Sequence, residues 1–184
     1  MSDEFEFFTV AISIILALGI GRLLDGIAPA LAPNPRYWVH VGWIANKLIN
    51  HILWWWGLWA GRDVEWNLAW FVWSLIGPAV LYLQATALVT STPSRVTSWQ
   101  DRFFEIRPWF FVGNIVLCAN LLIGRAFGPL PLLAPVSVGL AILAVVGVVG
   151  VMTENRRAHT ALVVIALSVQ IAGLGAAMFQ AGTL

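Results

Sequence analysis

Between Tyr37 and Ala60, an apolar stretch carries two histidines, two asparagines and the chain's one lysine. On a helix, at about 100° per residue, His40, Lys47 and His51 share one narrow face, and Asn46 and Asn50 flank it. Lys47 falls near the middle of the stretch, too deep for its side chain to reach either end. A charge at that depth costs at least ~2.5–3.5 kcal/mol unless it is paired or hydrated. The face is therefore expected to point into protein or into a water-filled cavity. Amines, imidazoles and amides in such a row can bind ions or small polar solutes, or let them pass. The preceding apolar stretch supplies the expected partners. Counted back from Pro33–Pro35, Asp25 and Arg22 approach the depth of Lys47. An antiparallel hairpin would pair Asp25 with Lys47, and Arg22 with Asp25. Two cations and one anion leave a spare positive charge. Either Lys47 gives up its proton, or an anion or hydrated path supplies the balance. The plainer alternative is an ion network that only fixes helix packing.

The other polar groups within apolar stretches are Gln84, Thr86, Asn114, Asn120, Arg125, Ser168 and Gln170. They are expected to act mainly as interhelical hydrogen-bonding groups. Catalytic patterns are missing. There is no Gly-x-Ser-x-Gly, no His-Glu-x-x-His, no phosphate-binding loop and no dinucleotide fingerprint, and Asp25 is the one deeply placed aspartate. Cys118 is the single cysteine, which excludes an intramolecular disulfide and a thiolate metal site; it reads as a small core residue. His40 and His51 could touch a haem or pigment. A haem between helices wants ligands from opposing helices, however, and His159 is poorly placed for that. No cofactor and no metal are expected.

These residues need elements to carry them, and composition says which. Of 184 residues 60% are hydrophobic and 10% charged, against about 25% charged in soluble domains; mean hydropathy is +0.84. The bilayer is the environment that accommodates such a chain. A net charge of +1 gives no reason to expect a nucleic-acid partner. Six stretches approach the ~20 apolar residues needed to cross a bilayer: Phe5–Leu31, Tyr37–Ala60, Trp66–Thr90, Pro108–Phe127, Leu130–Met152 and His159–Ala181. Pro33-Asn34-Pro35, Gly61-Arg62-Asp63, the polar run from Ser91 to Arg107, Gly128-Pro129-Leu130-Pro131 and Glu154–Arg157 separate them. The expectation is an all-α, single-domain transmembrane bundle of six helices. Asp3, Glu4 and Glu6 precede any basic residue, the wrong charge for a cleaved signal peptide.

Arginine placement gives the direction. Arg22, Arg36, Arg95, Arg102, Arg107, Arg156 and Arg157 fall on one side, and Arg62 and Arg125 on the other. The arginine-rich side is expected to be cytoplasmic, with both termini outside. Tryptophans near both sets of turns agree, Trp54–Trp56, Trp59 and Trp66 on one side and Trp38, Trp99 and Trp109 on the other. Phe7-Phe8 precedes Ile20-Gly21-Arg22 at the spacing at which Phe110-Phe111 precedes Ile123-Gly124-Arg125. The first and fourth stretches would run in opposite directions, as in a 3+3 inverted repeat. The other pairs of stretches show no such match.

Several segments resemble a group of small bacterial six-helix integral membrane proteins with no assigned activity. They are Glu4–Phe8 with the helix to Leu24, Trp38–Trp43, Trp54–Trp59, Pro78–Tyr82 and Asp101–Phe111. The resemblance implies a six-helix architecture and the bacterial inner membrane. It implies no reaction. Glu105 and Arg107 could pair two residues apart, or each could anchor the loop before the fourth stretch to another chain. The first functional expectation is a small channel or transporter for ions or small polar solutes, its path lined by Lys47, His51, His40, Asn50, Asn46, Asp25 and Arg22. The second is an accessory or assembly subunit of a larger membrane complex. The third is a lipid-modifying or cofactor-carrying membrane protein. Small residues such as Gly147, Gly150, Gly173 and Gly175 suggest a homo-oligomer, with the bilayer as the constant partner.

Overall fold

The structure is a computed structural model that describes residues 3–32, 37–62, 65–127 and 135–180. The proline turn at 33–35, Arg36, Asp63 and the turn at 128–131 lie outside the described residues. Six α-helices follow one another: α1 (Asp3–Leu31), α2 (Trp38–Gly57), α3 (Leu68–Leu88), α4 (Trp99–Phe127), α5 (Pro135–Met152) and α6 (Arg156–Gln180). Short 3-10 turns at Leu58–Gly61 and Pro93–Arg95 extend the ends of two connections. No strand occurs among the described residues.

Local chemistry sets several of the boundaries. The Asn67 side chain accepts from the Trp70 amide (3.0 Å) and starts α3. Asn155 accepts from the Arg157 amide (2.9 Å) and starts α6 at Arg156, three residues before the sequence-based limit. The largest difference is in α4, which begins at Trp99 and runs straight through Pro108. Proline deletes one hydrogen bond, but Trp99, Phe103, Ile106 and Arg107 are buried against other helices. Burial of that amphipathic turn outweighs the missing bond.

Four helices, α1, α3, α4 and α6, are long and apolar enough to cross a membrane. Two of the six expected spans therefore fall short on length or composition. Among the described residues α5 contributes the apolar helix Val136–Met152. In α2 the reason is chemical. His40, Asn46, Lys47 and His51 dilute its apolar character, and all four are buried among the other helices. A helix whose polar face is covered by protein need not be apolar all round. Burial is otherwise inverted relative to a soluble protein. Phe7, Val10, Ile14 and Leu18 of α1 and Val136, Val138, Val145 and Met152 of α5 stand exposed, while lysine, histidines and amides are inside. That distribution is the one a bilayer selects.

Helix α2 is the central element, packed against α1, α3, α4 and α6. Around it α1 packs on α3, α3 on α4, α4 on α5, and α5 on α6. The main neighbours of α1 are α2 and α3, and those of α4 are α3 and α5. Neighbour relations thus do not show the 3+3 repeat. Two apolar clusters fill the interior. The larger lies toward the arginine-rich end and includes Leu23, Trp43, Leu88, Phe103, Phe110 and Phe111. The smaller comprises Ile12, Leu16, Leu81 and Leu117. Along α1, α3 and α4, Gly19, Gln84 and Asn114 fall between the residues of the first cluster and those of the second. A polar belt is thereby enclosed between two apolar plugs.

Candidate functional site in the buried polar belt

Lys47 sits roughly 13–15 Å from either end of α2, at 1.5 Å per residue. It is 0% exposed. Its Nζ donates to Asn114 Oδ1 of α4 at 2.5 Å and lies 5.3 Å from the centre of the Phe110 ring. Gln84 of α3 donates through Nε2 to the same Asn114 Oδ1 (2.9 Å) and to the Phe110 carbonyl (2.9 Å). One amide oxygen on α4 thus ties α2 and α3 together. Gly113 makes the approach possible. A Cβ there would stand 3.0 Å from the Gln84 side chain.

One turn along α2, His51 Nδ1 lies 2.7 Å from the Lys47 carbonyl. Its ring is pressed on the backbone of α1 at Gly19, where a Cβ would come within 2.2 Å of Nε2. In the other direction Trp43 meets Phe110 and Phe111 edge-on, at 5.1 and 5.2 Å between centroids. Beyond it, His40 packs on Trp99 at 4.9 Å. His40, Lys47 and His51 therefore occupy one buried face, as the helical spacing predicts. Asn46 is buried beside them and Asn50 is half-buried.

The first helix behaves differently. Asp25 is exposed, so it is not the partner of the fully buried Lys47. Arg22 is half-buried and donates to the Val89 carbonyl (3.2 Å), the residue that ends α3. The Asp25–Lys47 pair is replaced by a neutral amide acceptor, Asn114. The physical reason lies in the rotation of α1. Leu23, Gly26 and Ala30 face inward, and Asp25 points away. Sequence reasoning assigned Asn114 and Gln84 a gluing role and missed that Asn114 holds Lys47, with Gln84 on the same oxygen. Counting the depth of Asn114 from the true start of α4 would have placed it near mid-helix, as Lys47 is in α2.

A second polar cluster closes the arginine-rich end. The Thr153 carbonyl, just past α5, lies 2.5 Å from Arg107 Nη1 and 2.9 Å from His159 Nε2. Arg107 also reaches Glu154 (3.2 Å), and Arg102 pairs with Glu105 (2.8 Å). Of the two alternatives for Glu105 and Arg107, the pair two residues apart is replaced by these two pairs. His159 is boxed by Phe103, Phe104 and Phe111. Arg107→Leu is expected to lower stability by about 1–3 kcal/mol, because it strips a charged donor from a helix-terminal carbonyl. Glu154→Gln should change little, since Glu154 is 83% exposed. Thermal unfolding in detergent checks both, and equal losses would show that the ion pair, not the carbonyl cap, matters.

Among the described residues no group of three or more His, Cys, Asp or Glu converges on a possible metal position. His40 and His51 each pack on protein, against Trp99 and Gly19 respectively. Compared with known protein families, curated proteins and solved structures, the chain matches none.

Proposed function

We propose that the chain is a small channel or transporter that moves ions or small polar solutes along the buried face of α2, seen here with that path closed. The observation that carries this reading is Lys47. It lies at mid-helix, 0% exposed, held by a neutral amide and, among the described residues, by no carboxylate. A methionine would fill the same volume without desolvating an amine, so packing alone gives no reason for lysine there. Intramembrane ionisable groups facing a bundle interior are characteristic of ion and solute pathways. The two apolar clusters on either side serve as gates, with Trp43, Phe110 and Phe111 on one side and Ile12, Leu16, Leu81 and Leu117 on the other. In this reading the arginine-rich end faces the cytoplasm of a bacterial inner membrane, as the charge bias and the family resemblance suggest, and the chain works as a homo-oligomer through its small-residue helix faces.

The test is flux in liposomes containing the purified protein. Lys47→Met is expected to reduce transport of the permeant ion by about tenfold or more, with the protein still monodisperse and folded. Undiminished flux through Lys47→Met would overturn the reading.

A role as an accessory subunit is favoured by one separate observation. At Gly175, on the far half of α6, a Cβ would meet nothing within 4 Å, and Ala172 and Ala176 beside it are exposed. Such a surface permits close approach of another helix. Stable co-purification with unrelated subunits from native membranes would support this second role, and a homogeneous homo-oligomer would count against it.

A further inference from the structure

His51 is the one residue of the polar belt whose protonation can be read from its contacts. A carbonyl only accepts, so the Nδ1 that lies 2.7 Å from the Lys47 oxygen holds a proton. In the neutral ring, Nε2 then carries a lone pair. That atom is buried and has no hydrogen-bond partner. It is directed at Gly19, where any larger residue would displace it. Gln84 Oε1 and Asn46 Nδ2, on or beside the same belt, are also buried and unpartnered. Native interiors leave few such atoms unless they have work to do.

We infer that the species moved along α2 is the proton, with His51 Nε2 and Lys47 Nζ as successive carriers; this rests on the channel-or-transporter reading above. An alkali cation needs several oxygen ligands. Asn114 Oδ1 already accepts from two donors, and no carboxylate approaches Lys47. An anion would meet the lone pair of His51. A buried imidazole with an unpartnered nitrogen and a buried amine one turn away on the same helix are groups that carry protons.

The surroundings add little competing charge. On α2 the group set against His51 is Lys47. From α1 it meets Gly19, while Arg22, nearly a turn away, is committed to the Val89 carbonyl. From α4 come Asn114 and Cys118, both set against Lys47, and from α3 Gln84. The transfer balances simply. A proton binds Nε2 and makes an imidazolium. The Nε2–H bond then breaks as an N–H bond forms at the lone pair of the Lys47 amine in its neutral form, and the imidazole returns to its neutral state. The ammonium then gives its proton to an unpartnered ring nitrogen of His40, beyond Trp43, and the Lys47 amine is neutral again. Nothing is oxidised or reduced.

The full-length protein in phosphatidylethanolamine–phosphatidylglycerol vesicles, with an internal pH dye and a valinomycin-set potassium potential, tests this. His51→Asn keeps a donor for the Lys47 carbonyl and removes the basic nitrogen. It should cut proton flux about tenfold or more. Gly19→Ala pushes Nε2 aside while keeping every titratable group, and should also reduce the flux. Wild-type flux should slow in deuterium oxide, a measurement independent of whether either variant folds. Full proton flux in both folded variants, or no isotope effect, would overturn the proton as the carried species. Lys47-dependent potassium or chloride flux without proton flux would overturn it too, yet leave the transport reading standing. No flux of any of the three would overturn the proton proposal and, with it, the ion-carrying form of the transport reading.

Discussion

Asn114→Leu should destabilise the protein by about 2–3 kcal/mol, and Lys47→Met in the same chain should restore most of that loss. The single variant removes the acceptor at 2.5 Å from Lys47 Nζ and one acceptor of Gln84 Nε2. Leaving a buried donor unsatisfied costs about 1–3 kcal/mol, with charged groups at the upper end. Gln84 keeps the Phe110 carbonyl, so its share of the loss is small. An ordinary interhelical hydrogen bond in a membrane protein contributes only about 0.6 kcal/mol on average. A loss near that value would mean that Lys47 finds another partner. The double variant puts two apolar side chains face to face under Phe110, which removes both the donor and the acceptor. Replacing both partners by apolar groups of similar shape is close to neutral. Reversible unfolding of the four proteins in mixed micelles gives the coupling energy directly. Additive losses would show that the Lys47–Asn114 contact is not what holds α2 to α4.

Which of these features the sequence discloses depends on whether a signal is local. The apolar stretches and the shared face of His40, Lys47 and His51 are local, set by helical period alone, and the structure buries all three side chains. The ends of α3 and α6 are nearly as legible, because Asn67 and Asn155 cap them in place. The partner of Lys47 is not local. Helix α1 is apolar all round, so its composition gives no rotation, and depth alone made Asp25 the choice. Around the helix Asp25 lies about 100° from the inward Gly26 and about 160° from the inward Leu23. Pro108 misled in the same way. As a helix breaker it suggests a start, but the burial of Trp99, Phe103 and Arg107 carries α4 two turns further back. Side-chain tautomers lie still further from the sequence. That of His51 follows from one carbonyl, one turn back on its own helix.

Gly77→Ala should cost about 1–2 kcal/mol, although alanine is intrinsically the better helix former by about 1 kcal/mol. The reason is Trp54. A Cβ on residue 77 would stand 1.9, 2.2 and 2.6 Å from three atoms of its six-membered ring. Contacts that short demand that the whole indole move. Trp54 packs against the Ile12–Leu16–Leu81–Leu117 cluster, so the plug at that end of the polar belt moves with it. Overpacking of a filled core costs about 1–3 kcal/mol, enough to reverse the gain in helix propensity. The neighbouring Pro78 makes the site less able to yield by tightening α3. It has no amide hydrogen to give the Ser74 carbonyl, and the Ser74 hydroxyl is turned to the Phe71 carbonyl (2.7 Å). Trp54→Leu alone should lose stability by leaving a cavity. Added to Gly77→Ala it should lose less than the sum of the two, because the smaller side chain makes room for the methyl group. Unfolding of both singles and the double in the same micelles measures that difference. A stable Gly77→Ala protein would mean that the indole swings out of the plug without loss, and that the seal at this end of the belt does not depend on Trp54.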